Sequence, residues 1–274
     1  MVIKDYKDGK IINGDCFDVI DRLVSENVKV DSIICDLPYN TTDCKWDCEI
    51  DLDIMWEKLN GIVSKGCPIV MFGSQPFTTK LIASNISNFR EEVVWLKNKA
   101  GSGLFAKQKH IKIHENIIVF CNDGKYTFNP QKWGVEDKEF LTQRKTFKDI
   151  DFNNNLYSSM TRQHHKDDGT RNPISVVAYR VPINPAHSKQ YKSEIDVRIH
   201  ETQKPILLMD YLVKTFSNKG DVVLDFTAGS CTLAVACIQN SRKFICIEKD
   251  VNNYNNAVTR IDEVYKNERG KLKF

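Results

Sequence analysis

Several short runs in this chain are apolar throughout, among them Ile33-Ile34-Cys35, Ile69-Val70-Met71-Phe72, Val222-Val223-Leu224 and Phe244-Ile245-Cys246-Ile247. A strand with one wet face alternates apolar and polar residues, so a strand apolar at every position must be covered on both sides. Segments with helical spacing separate or follow these runs. Phe17, Ile20, Leu23 and Val24 mark a helix over 16–25, and others are expected over 52–64, 75–83, 232–239 and 253–265. Pro205 suits the first turn of a further helix carrying Leu207, Leu208, Leu212, Val213 and Phe216. Additional strands are expected at 10–13, 92–96 and 114–121, with a hairpin at Asn122-Asp123-Gly124. Strand–helix alternation of this kind predicts an α/β fold, a mostly parallel doubly wound sheet.

From Gln131 to Arg198 the periodicity fades, and Asn, Lys, Arg, His, Ser and aromatic residues take over. A long weakly patterned stretch in a compact chain is usually an insertion with a function of its own. The expected organisation is one half of a sheet over 1–130, an insertion over 131–198, and the other half over 199–274. The 274 residues suffice for one large domain with such an insertion. No apolar run reaches membrane-spanning length and the first residues lack the apolar core of a signal peptide, so a cytoplasmic location with no membrane partner is expected. The nine cysteines, mostly inside apolar runs, read as reduced and buried. Cys44 and Cys48 lack a second pair at zinc-ligand spacing, so no metal is expected. A net charge of +3 permits a polyanionic partner only if the positive charge is gathered on one face.

Three stretches carry chemistry. Asp36-Leu37-Pro38-Tyr39-Asn40 follows the first apolar run directly, placing a carboxylate, a stiffened bend and an aromatic ring at the carboxyl end of a strand. That edge is where open α/β sheets bind ligands. Fixed acceptors beside a flat ring suit a planar group bearing an NH2, such as a nucleobase amine; the plainer alternative is a turn in which Asp36 caps local backbone. The second stretch, Asp225-Phe226-Thr227-Ala228-Gly229-Ser230-Cys231-Thr232, is a small-residue loop between a strand and a helix, followed about twenty residues on by Glu248 at the next strand end. Such an acid can accept from a ribose hydroxyl pair, or can be a solvated strand-end carboxylate. The three-glycine dinucleotide fingerprint is absent. The third is His200-Glu201-Thr202-Gln203-Lys204-Pro205, by itself an ordinary helix entry.

Together these stretches resemble the site-specific DNA amino-methyltransferases of the beta arrangement, whose target-binding motif precedes the cofactor motif. Asp36-Leu37-Pro38-Tyr39 is similar to their Asp-Pro-Pro-Tyr, 225–232 to Asp-Pro-Phe-x-Gly-Ser-Gly-Thr, and 200–205 to His-Pro-Thr-Gln-Lys-Pro. Gly14-Asp15 and His114-Glu115-Asn116-Ile117-Ile118-Val119-Phe120 match further family positions. The resemblance covers about 1–125 and 200–256. Leu37 stands in place of a proline, Phe226-Thr227 in place of Pro-Phe, and Cys231 in place of a glycine; a side chain there is expected to weaken cofactor binding.

The resemblance implies the methyltransferase version of the doubly wound sheet, S-adenosyl-L-methionine as cofactor, double-stranded DNA as substrate, and a bacterial or phage-infected cell. Asp36, Leu37, Pro38 and Tyr39 become the catalytic residues. Asp15, Cys16, Asp36, Lys204, Asp225, Thr227, Ala228, Gly229, Ser230 and Glu248 become the cofactor site, with Lys204 near the methionine end. An acid in the first motif position favours adenine N6 as the target, with cytosine N4 the alternative. The insertion becomes a target-recognition region, with Arg144, Lys145, Arg162, His164 and Arg171 meeting DNA together with Lys107 and Lys109 of the 98–112 loop. A restriction endonuclease of the same system is an allowed partner, and both monomer and homodimer are allowed states. Competing readings are a nucleotide-dependent dehydrogenase, a protein-amide methyltransferase, whose motif order is the reverse, and a DNA-binding protein with a decayed cofactor site.

Overall fold

The computed structural model describes residues 1–39, 50–101, 103, 106–134, 170–182 and 203–271. It divides into a main unit, 1–129 with 175–274, and a smaller unit, 130–174. In the smaller unit a short strand Trp133–Gly134 pairs antiparallel with Thr170–Arg171 (β7 and β8 in chain order).

The main unit is a nine-stranded sheet between helices. The chain begins with β1 (Val2–Tyr6), β2 (Gly9–Asn13), α1 (Cys16–Ser25), β3 (Ser32–Cys35), α2 (Leu52–Ile62), β4 (Ile69–Gly73), α3 (Phe77–Ser84), β5 (Phe89–Leu96) and β6 (His114–Phe120). After the smaller unit come β9 (Val176–Ala178), α4 (Ile206–Phe216), β10 (Val222–Asp225), α5 (Thr232–Gln239), β11 (Lys243–Glu248) and α6 (Val251–Lys271). The strand order is β1-β2-β11-β10-β3-β4-β6-β5-β9. The strands from β2 to β4 are mutually parallel, whereas β6 runs antiparallel to both β4 and β5.

The all-apolar runs behave as their composition demands. Along β3, Ile33 and Cys35 join the core under α1, α2 and α3, while Ile34 joins the core under α4, α5 and α6. Val70 and Phe72 of β4, Val223 of β10, and Phe244 and Cys246 of β11 face the second core; their neighbours Ile69, Met71, Leu224, Ile245 and Ile247 face the first. The two-residue side-chain period is thus used twice, once per helical layer. Each helix contributes a stripe: Val19, Ile20 and Leu23 from α1, Met55, Trp56 and Leu59 from α2, Leu208, Leu212 and Phe216 from α4.

Three expectations differ from the structure. The sequence pattern does not reveal β1, because it is an edge strand with exposed side chains, Val2 and Ile3 among them, and carries no apolar period. Asn122-Asp123-Gly124 turns no hairpin: β6 is already flanked by β4 and β5, which leaves no edge for a returning strand. Instead the Asp123 carboxylate accepts the Gly66 amide at 2.6 Å, and Asn129 is held on the end of α4 through the Ser217 carbonyl at 3.0 Å. Residues from 175 rejoin the main unit rather than continuing an insertion to 198, because Val176–Ala178 pairs parallel with β5 and covers its outer edge.

β3 and β10 are neighbours at the centre of the sheet. From β3 the chain crosses through α2 to β4 on one side, and from β10 it crosses through α5 to β11 on the other. The strand order therefore reverses between them, and the carboxyl ends at that reversal form the crevice in which open α/β sheets bind ligands. Among the described residues, no helix is long and apolar enough to cross a membrane.

Candidate active site at the reversal of strand order

Asp36 follows the last residue of β3, and Asp225 is the last residue of β10. Thr227 ties the two ends together. Its amide donates to Asp225 Oδ1 at 3.1 Å and its hydroxyl donates to the Asp36 carbonyl at 2.8 Å. The Cys35 thiol lies 2.9 Å from the same hydroxyl oxygen, placed to donate to it. Asp36 is therefore fixed in register with the loop leading to Gly229.

The Asp36 carboxylate is engaged on both oxygens. Oδ1 accepts the Tyr39 hydroxyl at 2.7 Å, and Oδ2 is ion-paired with the Lys204 ammonium. Lys204, only 8% exposed, also lies 3.6 Å from Glu115 Oε2 and 4.9 Å above the Phe72 ring. Glu115 Oε1 is in turn paired with Lys97, whose ammonium sits 4.8 Å above the Trp95 ring. The result is a chain of alternating charge, Asp36–Lys204–Glu115–Lys97, running from the end of β3 to β6 and the residue after β5.

Burial pushes the Asp36 carboxyl above the usual carboxylate range, opposed by the Lys204 ammonium and reinforced by the Glu115 charge. For Glu115 burial is outweighed by two ammoniums, Lys204 and Lys97, which hold it below that range. Lys204 is raised: burial pulls it down, but the Asp36 and Glu115 charges prevail. Asp225, 4% exposed, is pushed by burial up to about 7, the Thr227 amide opposing and the charges of Asp36 and Glu248 adding to the rise.

Across the crevice the loop after β10 is held by its own acid. Glu248, at the end of β11, accepts the Gly229 amide on Oε2 at 2.8 Å and the Asp250 amide on Oε1 at 2.8 Å. Each oxygen keeps a second lone pair for a ligand hydroxyl. Gly229 adopts φ +50°, a left-handed turn that brings the backbone over the helix start. Ala228 donates to the Ile247 carbonyl at 2.9 Å, and the Ser230 hydroxyl turns inward to Thr232 at 3.1 Å. Asp15 caps α1 through the Phe17 amide at 3.0 Å and meets Lys249 at 3.1 Å. Burial raises its carboxyl, but the Lys249 and Phe17 hydrogen bonds prevail and lower it overall. The half-buried Cys16 follows it, its thiol pushed up to about 12 by burial.

The Lys204 ammonium, expected near the methionine end of the cofactor, is paired with Asp36, because the entry to α4 passes beside β3 and the nearby counter-charges are carboxylates. One sequence expectation needs correction here. Cys231 does not project into the crevice. It takes the left-handed conformation, φ 52° and ψ 38°, and its side chain is fully buried in the core under α4, α5 and α6. The penalty of replacing glycine falls on the backbone, where a left-handed L-residue costs about 1–2 kcal/mol.

Leu37 is buried in the core with its side chain under α1–α3, and Pro38 and Tyr39 line a cleft of about 660 Å³ with Ile50, Leu52, Pro76, Phe77, Lys80 and Ser84. The Tyr39 ring is tilted 30° against Phe77, with centroids 5.1 Å apart. Lys107 and Lys109 are exposed on the segment between β5 and β6. Arg171 lies in the smaller unit and donates to the Thr170 carbonyl at 2.8 Å. Arg144, Lys145, Arg162, His164 and residues 200–202 lie outside the described residues. Sequence reasoning missed Glu115 and Lys97. The available signal was an acid opening an apolar strand, across from a lysine that ends the neighbouring one.

The fold and this crevice define the doubly wound methyltransferase class, with an acidic turn facing a small-residue loop across the point where strand order reverses. The family model described as "DNA methylase" matches residues 30–259, and the chain belongs to that family of N6/N4 amino-methyltransferases. The DNA adenine methyltransferase YhdJ of Escherichia coli K12 is 28% identical over 265 residues, covering 92% of this chain and 82% of that protein. Among solved structures, the M1.HpyAVI–SAM complex superposes with a TM-score of 0.61 at 20% identity, covering 92% of this chain and 98% of the other. The cytosine-N4-specific PvuII DNA methyltransferase also gives 0.61, at 11% identity, covering 95% and 92%.

Proposed function

We propose that this protein transfers a methyl group from S-adenosyl-L-methionine to the exocyclic N6 of an adenine extruded from double-stranded DNA. The cofactor of the family is S-adenosyl-L-methionine, and DNA is its substrate. The residues on the loop side of the crevice fit that cofactor. The Glu248 carboxylate retains acceptors for a hydroxyl pair beside the Gly229 amide, Asp15 offers acceptors at the start of α1, and Asp225 sits under the loop. When bound there, the group supplies a sulfonium methyl, an electrophilic carbon that needs only an aligned nucleophile.

This chain's residues supply the alignment. An exocyclic amine is a weak nucleophile because its lone pair is delocalised into the ring. Asp36 accepting one N–H and the Leu37 carbonyl accepting the other favour the tetrahedral nitrogen, and both bonds strengthen as that nitrogen becomes positive. Methyl transfer from the bound cofactor would leave the amine with a surplus proton, which the Asp36 carboxylate would accept and pass to water. The raised affinity of Asp36 for protons suits that acceptor role. Extruding the base costs a few kcal/mol. The cleft beside Pro38 and Tyr39, lined by the Tyr39 and Phe77 rings together with polar side chains such as Asp51, Asp53 and Lys80, offers a space to receive it, where stacking contributes about 1–3 kcal/mol.

The observation that carries this reading is the Thr227 bridge, which fixes the Asp36 turn against the cofactor-side loop at the reversal of strand order. Adenine is favoured by the acid at position 36 and by the whole-length likeness to YhdJ. The test is transfer of labelled methyl to unmethylated DNA followed by digestion to nucleosides. Label in N6-methyladenine is expected; label in N4-methylcytosine overturns the base assignment.

A further inference from the structure

The structure places an ammonium where the target amine has to bind. Asp36 Oδ2 is taken by Lys204 and Oδ1 by the Tyr39 hydroxyl, so no N–H of a base can reach the carboxylate until one of them lets go. Tyr39 is three residues from Asp36 on the same stiffened turn and packs on Phe77, which leaves it little freedom to leave. Lys204 has somewhere to go. Glu115 Oε2 is completely buried and has no hydrogen-bond partner among the described residues, although it lies only 3.6 Å from Lys204 Nζ. A buried carboxylate oxygen without a donor is costly and is rare unless something fills it in another state. The flexible lysine stem lets the ammonium swing off Asp36 and onto Glu115, which would make that missing bond.

We infer that Glu115 is a positioning residue that receives the Lys204 ammonium from Asp36 when the target amine arrives, freeing Oδ2 for an amine N–H. The inference rests on the reading of Asp36 as the amine acceptor. The exchange keeps both ammoniums paired with a carboxylate and the Asp36 carboxylate hydrogen-bonded throughout. Before capture Lys204 neutralises Asp36 and leaves Glu115 Oε2 empty. After capture the base N–H fills Asp36 Oδ2, and Lys204 fills Glu115 Oε2. Lys97 holds Glu115 Oε1 in both states and so fixes the receiving oxygen in place. One more buried hydrogen bond is made on capture, which favours the amine-bound state over the empty site. An incoming group without an N–H donor, such as a ring nitrogen or a carbonyl, cannot replace the ammonium on Asp36, so the exchange also selects for amines.

Glu115→Gln and Lys204→Met are compared singly and together, by single-turnover methyl transfer with the cofactor and unmethylated DNA. Glu115→Gln alone is expected to lower the melting temperature, since Lys97 and Lys204 lose a buried counter-charge, and to slow transfer by the folded protein by about tenfold or more with cofactor affinity nearly unchanged, whereas adding it to Lys204→Met should bring little further loss of transfer, since no ammonium remains to be received. Equal losses in both backgrounds overturn the inference. Binding gives a second readout that does not depend on Lys204→Met folding. Once the methylated position is mapped, duplexes bearing adenine or purine there are compared, purine lacking the amine. The preference for adenine is expected to shrink from roughly tenfold in the natural protein to about twofold in Glu115→Gln. An unchanged preference overturns the exchange. Methyl found on cytosine N4 would overturn the base assignment made above and leave this inference standing, because both bases present the same kind of amine.

Discussion

On the proposed reading Asp36 combines two demands in one carboxylate: it accepts from an amine, and without substrate it must not remain an uncompensated buried charge. Lys204 and Tyr39 meet the second demand. Asp36→Ala is therefore expected to abolish methyl transfer while leaving cofactor binding near normal, since Gly229 and Glu248 hold the other side of the crevice. Calorimetry with S-adenosyl-L-methionine beside a transfer assay checks this, and collapse of cofactor binding would move Asp36 to the other half of the site. Removing Asp36 also leaves Lys204 with Glu115 alone, and losing one partner of a buried pair costs about 3–5 kcal/mol, so a lowered melting temperature is expected as well. Asp225 carries a different prediction. Its carboxyl is raised by burial from an ordinary 3.8 to about 7. Between those values the folded chain keeps a proton that the unfolded chain has lost, so this group's contribution to stability falls as pH rises through the window. Asp225→Asn removes the titration while keeping an oxygen for the Thr227 amide. The melting temperature of the variant relative to the natural protein should climb from about pH 4 to about pH 7 and then level off. A flat difference across that range would mean Asp225 ionises normally in its buried place.

At the scale of elements, the crevice exists because β3 and β10 end side by side, and Thr227 stitches the two ends. Thr227→Val keeps the shape but removes the hydroxyl, leaving the Asp36 carbonyl and the Cys35 thiol without that partner. A loss of about 1–3 kcal/mol is expected by denaturant unfolding, with a larger proportional loss of transfer, because the turn would no longer be in register with the loop. Equal loss of stability with undiminished transfer would show that the bridge is merely structural. Much of this was legible in the sequence. The all-apolar runs at 33–35, 69–72, 222–224 and 244–247 require helices on both faces, and the acids at 36, 225 and 248 sit at strand ends for the same reason. What stayed hidden depends on contacts between distant elements. No local pattern says that Lys204, at the entry to α4, will reach Asp36 some 168 positions away, or that Glu115 will stand behind it. Thr227 looked like part of a small-residue loop because its bond to Asp36 is a consequence of strand order. Cys231 looked like an obstruction because a sequence shows that glycine has been replaced, and not which way the replacement points.

For the molecule as a whole, a net charge of +3 is too small for a polyanion partner unless it is unevenly distributed. The charge chain inside the crevice is internally compensated, two carboxylates against two ammoniums, and offers no net attraction to DNA. Attraction has to come from exposed cations, and we propose that Lys107 and Lys109, exposed on the segment joining β5 to β6, are among them. Cations of this kind meet phosphates, which fix position without reading sequence. Replacing both lysines with alanine should therefore weaken binding to all duplexes by a similar factor and leave the choice of methylated site unchanged. Each phosphate that is no longer neutralised takes about 0.9 from the slope of log affinity against log salt, so the slope should flatten by about 2. Titrations of a labelled duplex across a range of salt concentrations measure it. An unaltered slope would mean that the phosphates are met elsewhere on the chain, and a shifted methylation pattern would mean that these lysines read bases.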